Sequence, residues 1–152
     1  MPTQTSAGYS GRPLVDKLGI KPGHRLLAVA APKDYRELLA PLPDDLVWEK
    51  QLTSATDIIH VFVTRKAALI SELGRYCAAM RDDATIWVSW PKKTAKVATD
   101  VTEDVVRDTA LGLGLVDVKV CAVTDVWSGL RLVIRKELRG KVSRRERPRK
   151  GL

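Results

Sequence analysis

Four short stretches of the chain supply cations, polar groups and two indole rings between them: Pro32-Lys33-Asp34, Thr64-Arg65-Lys66, Trp90-Pro91-Lys92-Lys93 and Asp125-Val126-Trp127. Guanidinium and ammonium groups hold anions through charge-assisted hydrogen bonds, and indoles stack on flat groups. Brought together, Thr64, Arg65, Trp90, Lys92, Lys93 and Trp127 would suit an anionic, planar ligand such as a nucleotide. The competing reading gives the lysines to solvated loops and the tryptophans to the cover of a sheet edge.

Other residue types offer less. His24 and His60 are the two histidines, and neither has cysteines or carboxylates at metal-ligand spacing around it, so no metal site is expected. Ser89 lacks the flanking glycines of a nucleophile elbow, and Cys77 falls on an apolar helical stripe. No catalytic residue is assigned. Asp57, Asp100 and Asp125 are explained by strand-end and capping duties without invoking acid–base chemistry. Cys77 and Cys121 read as reduced, buried thiols rather than a disulfide framework.

The formal charge of +8 is concentrated at one end. From Arg135 onward nine basic residues face Glu137 and Glu146, whereas the rest of the chain holds 17 basic and 16 acidic residues. The tail residues Arg139, Lys141, Arg144, Arg145, Arg147, Arg149 and Lys150 suit the phosphates of a nucleic acid, or an acidic protein, through charge alone, because no aromatic residue lies among them for stacking. With few apolar residues to offset ordering, 136–152 is expected to be a solvated, disordered tail.

The elements that must position these residues follow from apolar patterning. Leu26–Ala31, Ile58–Val63 and Thr85–Trp90 are short apolar runs typical of strands covered on both faces, and Leu46–Leu52 is a weaker strand near an edge. Ser10 and Pro13 open a short helix that Gly19 closes. Helical stretches follow at Asp34–Leu39 and through Leu69, Leu73, Tyr76, Cys77 and Met80, and Asp100 with Glu103 makes a capping-box signal for a helix to about Gly112. Val116–Thr124 and Leu130–Arg135 flank Trp127-Ser128-Gly129 as two antiparallel strands. The rhythm predicts one α/β domain over residues 9–135, behind a flexible 1–8: a doubly wound, mostly parallel Rossmann-like sheet ending in an antiparallel strand pair. The second strand resists placement, since Thr53 to Ile58 is shorter than the usual parallel crossover. No apolar run approaches the ~20 residues of a membrane span, and no secretory signal fits the first residues, so a cytoplasmic protein without membrane contact is expected.

The order of Lys21-Pro22-Gly23, apolar strand, Asp57-Ile58-Ile59, helix, Asp82-Asp83, Trp87-Val88-Ser89-Trp90-Pro91 and terminal hairpin resembles the skeleton of class I S-adenosylmethionine-dependent methyltransferases. That resemblance implies an adenosyl cofactor held by a glycine-rich loop after the first strand. Here the loop reads Ala30-Ala31-Pro32-Lys33; proline has no amide hydrogen to offer, and alanine Cβ atoms occupy space that glycines leave open, so the cofactor is disfavoured. The chain also contains no asparagine, so the Asn-Pro-Pro-aromatic signature of amino-directed methyltransferases is absent. At closer range, Gly8-Tyr9-Ser10-Gly11-Arg12-Pro13-Leu14, Leu18-Gly19-Ile20-Lys21-Pro22-Gly23, Trp87-Val88-Ser89-Trp90-Pro91-Lys92-Lys93 and Trp127-Ser128-Gly129-Leu130-Arg131-Leu132-Val133 resemble the bacterial domain of unknown function 3052 family over Gly8 to about Lys136. That resemblance implies no catalytic residues.

The expectation drawn from the sequence is a non-catalytic binding or regulatory domain, with a strand-end pocket for a small anion or a protein partner. A divergent S-adenosylmethionine-dependent methyltransferase and a nucleic-acid-associated protein acting through the tail are the alternatives.

Overall fold

A computed structural model describes residues 12–140, so what the sequence suggests for 1–11 and 141–152 lies outside the described residues. Six strands, β1 (Arg25–Val29), β2 (Val47–Glu49), β3 (Ile58–Phe62), β4 (Thr85–Pro91), β5 (Leu115–Ala122) and β6 (Trp127–Ile134), form one sheet in the order β2-β1-β3-β4-β6-β5. β1 to β4 pair in parallel, while β6 inserts antiparallel between β4 and β5. The fold is the mixed, doubly wound α/β sheet expected, with its antiparallel pair at one side. Among the described residues no helix is long and apolar enough to cross a membrane.

Every residue of β3 and β4 is buried, which explains their continuous rather than alternating apolar pattern. Alternate side chains feed two cores. Ile59, Val61, Ile86 and Val88 pack against α3 (Lys66–Ala79) and α4 (Glu103–Gly112). Ile58, Phe62 and Trp87 pack on the other face against α1 (Leu14–Lys17) and α2 (Tyr35–Leu39). Trp87 also donates its indole N–H to the Leu18 carbonyl at 2.9 Å, which satisfies the one polar atom of a fully buried ring and fastens α1 to the sheet.

The second strand is parallel and at the edge, and register explains its short return. Glu49 at the end of β2 lies level with Leu27, and Ile58 at the start of β3 lies level with Leu26. The chain therefore recovers only one residue of rise, about 3.3 Å, and crosses two strand spacings of about 4.8 Å each, a path that needs no helix. Glu49 secures this crossing: its carboxylate takes Arg25 Nε at 2.7 Å, accepts from Thr56 Oγ1, and receives Thr53 Oγ1 at 3.4 Å. Burial works to raise the Glu49 carboxyl, but the hydrogen bonds from Thr56 and Arg25 outweigh it and hold the group below its ordinary value.

Two capping assignments change. Thr102, not Asp100, caps α4, its side chain accepting from Val105 N. Asp100 instead accepts the Lys66 amide at 2.6 Å, so it satisfies an end group of α3 across the loop. The last described segment also packs: a 3-10 turn at Lys136–Leu138 lays Leu138 against the α3/α4 core, and Gly140 N donates to Asp82 at Oδ2.

Candidate functional site

Strand order reverses between β1 and β3, and in doubly wound sheets the crevice at the carboxyl ends of such strands is where ligands bind. The turn that leaves β1 there, Ala30–Asp34, has an unusual backbone. Ala30 adopts φ 58°, in the left-handed region that glycine enters freely and alanine at a cost of roughly 1 kcal/mol. Among the described residues the amides of Ala31, Lys33 and Asp34 donate to no acceptor, while the Pro32 carbonyl accepts Tyr35 N at 3.1 Å. Ala30, Lys33 and Asp34 are exposed. Unclaimed amides in a turn of this conformation are donors that a carboxylate or phosphate oxygen can use. The proline removes one amide, yet three neighbouring ones remain.

Behind the turn lies a buried polar chain that spacing alone does not reveal. Tyr35, the first residue of α2, brings its hydroxyl to 2.7 Å from Nδ1 of His60 in β3, and Nε2 of His60 lies 2.8 Å from Ser89 Oγ in β4. All three residues are buried. Burial pushes the His60 imidazole down to about 3, so the ring is neutral at pH 7, and burial pushes the Tyr35 phenol up. A neutral imidazole has one donor and one acceptor, so the two hydroxyls satisfy it completely in either direction. Phe62 stacks on His60 at 4.3 Å between ring centroids, and Trp48 and Phe62 set their rings edge-on to Tyr35. The chain thus ties the turn after β1 rigidly to β3 and β4. Ser89 is fully enclosed and has the role of a core hydroxyl.

The six residues singled out for a strand-end ligand do not form one cluster. Trp90 belongs to the α3/α4 core and Trp127 to the α1/α2 core, so the two indoles lie on opposite faces of the sheet. The Thr64 carbonyl accepts Thr99 Oγ1 at 2.7 Å, and Arg65 is an exposed residue at the start of α3. Lys92 donates its backbone N–H to Val126 at 2.7 Å beside Trp127, and Lys93 begins an exposed 3-10 turn. Of the tail residues, Arg139 is described, its Nε donating to the Ile134 carbonyl at 2.8 Å; Lys141, Arg144, Arg145, Arg147, Arg149 and Lys150 lie outside the described residues.

The remaining polar candidates have structural partners. Asp57 receives Arg25 N at 2.7 Å and Arg81 Nη2 at 2.8 Å; burial would raise its carboxyl, but these two contacts hold it below the ordinary value. His24 Nδ1 accepts Lys21 N at 3.0 Å within the turn before β1. Cys77 and Cys121 are free thiols, and among the described residues no three or more His, Cys, Asp or Glu side chains gather as metal ligands.

No family model and no curated sequence matches the chain. Similar solved structures exist. A protein from Sulfolobus solfataricus described as a type 11 methyltransferase superposes with a TM-score of 0.53 at 14% identity, over 80% of this chain and 89% of that one. LepI in complex with S-adenosylmethionine superposes with a TM-score of 0.51 at 14% identity, over 80% of this chain but 39% of its own length. These likenesses are of fold. The expectation of a non-catalytic binding or regulatory domain is corrected on this point: the fold these neighbours share is the one the methyltransferase alternative called for. The chain has the class I methyltransferase fold in reduced form.

Proposed function

We propose that this chain is a divergent class I methyltransferase that binds S-adenosylmethionine at the turn after β1. The observation that carries the reading is the Ala30–Asp34 turn: it stands at the strand-order reversal, takes a left-handed backbone without glycine, and leaves the amides of Ala31, Lys33 and Asp34 unclaimed among the described residues. Those amides fit the carboxylate end of the cofactor, with the exposed Lys33 ammonium beside them. The fit is incomplete at the ribose. By position the acidic residue about twenty places after the loop, which Rossmann-type sites use for ribose hydroxyls, is Glu49, and Glu49 is committed to Arg25 and Thr56. The cofactor supplies an electrophilic methyl group when bound; this chain's residues bind and orient it, and the Tyr35–His60–Ser89 chain holds the binding turn in place.

The motifs quoted above support placing the chain with the bacterial domain of unknown function 3052 family, and the lack of any long apolar run supports a cytoplasmic setting. Calorimetric titration with S-adenosylhomocysteine tests the function. One-site binding in the micromolar range is expected; a folded protein that gives no heat at several temperatures overturns the proposal.

A further inference from the structure

The loops that leave β1, β3 and β4 share one edge of the sheet, because these three strands run parallel and side by side. They carry Lys33, then Arg65 and Lys66, then Lys92, Lys93 and Lys96, against the acidic Asp34 and Asp100. All of these cations are exposed except half-buried Lys92. Among the described residues none of them forms an ion pair, and Asp100 accepts the Lys66 backbone amide. The opposite edge is balanced. There Arg25 pairs with Glu49, Arg81 with Asp57 and Asp83 ahead of β3 and β4, and Arg135 with Glu137 just past β6.

The loop after β4 is fastened so that its lysines stay at the unbalanced edge. At its start the Lys92 N–H donates to the Val126 carbonyl at 2.7 Å. At its far end Thr99 Oγ1 donates to the Thr64 carbonyl at 2.7 Å, and Asp100 takes the first amide of α3. The loop is thus tied to the β5–β6 turn on one side and to the β3–α3 turn on the other. Between the ties Lys93 opens a 3-10 turn that Lys96 closes with φ 57°, a left-handed backbone that glycine enters freely and lysine at a steric cost. The Lys96 side chain is exposed and forms no ion pair among the described residues, so no contact of the fold offsets that cost.

Adjacent strands stand about 4.8 Å apart, so the ends of β1, β3 and β4 alone spread these charges over about 10 Å. Cations set along an edge, rather than converging on a point, match successive phosphates of one extended strand. The row ends beside Trp127, which is level with Pro91 at the end of β4 and set edge-on to Phe62 at 5.0 Å between centroids. Of the rings at this edge, Tyr35, Phe62 and Trp90 are buried, whereas Trp127 is partly open. Cations that track a backbone beside a ring that can take a base are how single strands are held.

We propose that this edge binds a single strand of nucleic acid, with Arg65, Lys66, Lys93 and Lys96 on its phosphates and Trp127 under a base. The strand is then the substrate class of the enzyme, a role that rests on the methyltransferase reading; the binding itself needs no cofactor.

The test uses full-length protein without cofactor and a fluorescein-labelled RNA of about 12 nucleotides, free of self-complementarity, read by anisotropy at several salt concentrations. Saturable binding that weakens with salt is expected. Arg65→Ala with Lys93→Ala and Lys96→Ala is expected to weaken it about tenfold or more and to lower the slope of log affinity against log salt by about 2. Lys50→Ala with Lys119→Ala and Lys136→Ala removes the same charge from exposed positions elsewhere and is expected to change affinity less than about threefold. Trp127→Leu is expected to weaken binding severalfold with the salt slope kept, and circular dichroism verifies that each variant folds. No binding, equal losses in the two triple variants, or polyglutamate or duplex DNA binding as tightly as the RNA overturns the proposal. So does unchanged affinity in the Arg65, Lys93 and Lys96 variant, which would assign the binding to the basic tail. RNA binding that meets these expectations beside a silent S-adenosylhomocysteine titration supports the surface and overturns the cofactor reading alone.

Discussion

The hydroxyl of Tyr35 sits 2.7 Å from Nδ1 of His60, joining the residue that follows the β1 turn to a strand in the middle of the sheet. Removing that oxygen leaves a fully buried imidazole nitrogen without its partner. Tyr35→Phe is therefore expected to cost about 1–3 kcal/mol in urea unfolding. It should also raise amide exchange across 30–35 relative to β3. Unchanged stability would mean that the Tyr35–His60–Ser89 chain does not hold the turn.

His60 also makes stability depend on pH. Its folded value is depressed to about 3 from an ordinary 6.5, so the unfolded chain takes up the proton first and stability falls as pH drops through 6.5 towards 3. The part of the loss between pH 6.5 and 5 belongs to the imidazole, because carboxylates titrate lower. Unfolding midpoints at pH 7, 6 and 5 are expected to fall steadily for the native protein. His60→Gln should lower the value at pH 7 and flatten the slope; an equal slope in both proteins would place the proton elsewhere.

The crossing from β2 to β3 rests on Glu49 and its partners. Thr56→Val withdraws a donor from a carboxylate whose side chain is only 5% exposed, and a loss of about 1–3 kcal/mol is expected. Thr56→Ser, which keeps the hydroxyl, should recover most of it in the same urea titration.

Gly129 of β6 leaves room for the Val123 and Trp87 side chains on one face of the sheet. A Cβ there would lie 3.0 Å from Val123 Cγ2 and 3.3 Å from the Trp87 ring, both in the α1/α2 core. Gly129→Ala is expected to destabilise by about 1–3 kcal/mol, seen as a lower thermal midpoint and a shifted Trp87 fluorescence band.

The architecture was legible where apolar runs were continuous. Ile58–Phe62 and Thr85–Pro91 announce themselves because both faces of each strand are covered. The direction of β2 was not legible, since it depends on the register of Glu49 with Leu27, a relation between strands that composition does not encode. The same holds for the site. Trp90 and Trp127 look like one pair along the chain, yet each falls on a different side of the sheet. His60 and Ser89 read as isolated polar residues because the hydrogen bonds that join them to Tyr35 span 25 and 29 positions. A lone His inside an apolar strand was the available signal, since a buried imidazole requires partners. The proline and alanines of the β1 turn suggested a lost cofactor loop; the left-handed Ala30 backbone and the unclaimed amides around it are conformational facts that residue types conceal.

The most direct measurement is amide mapping by nuclear magnetic resonance during titration with S-adenosylhomocysteine. The account predicts saturable shifts centred on Ala30, Ala31, Lys33 and Asp34, with the exposed residues 117–120 of β5, at the opposite side of the sheet, little affected. Shifts confined to other surfaces, or none up to the solubility of the ligand, would contradict it.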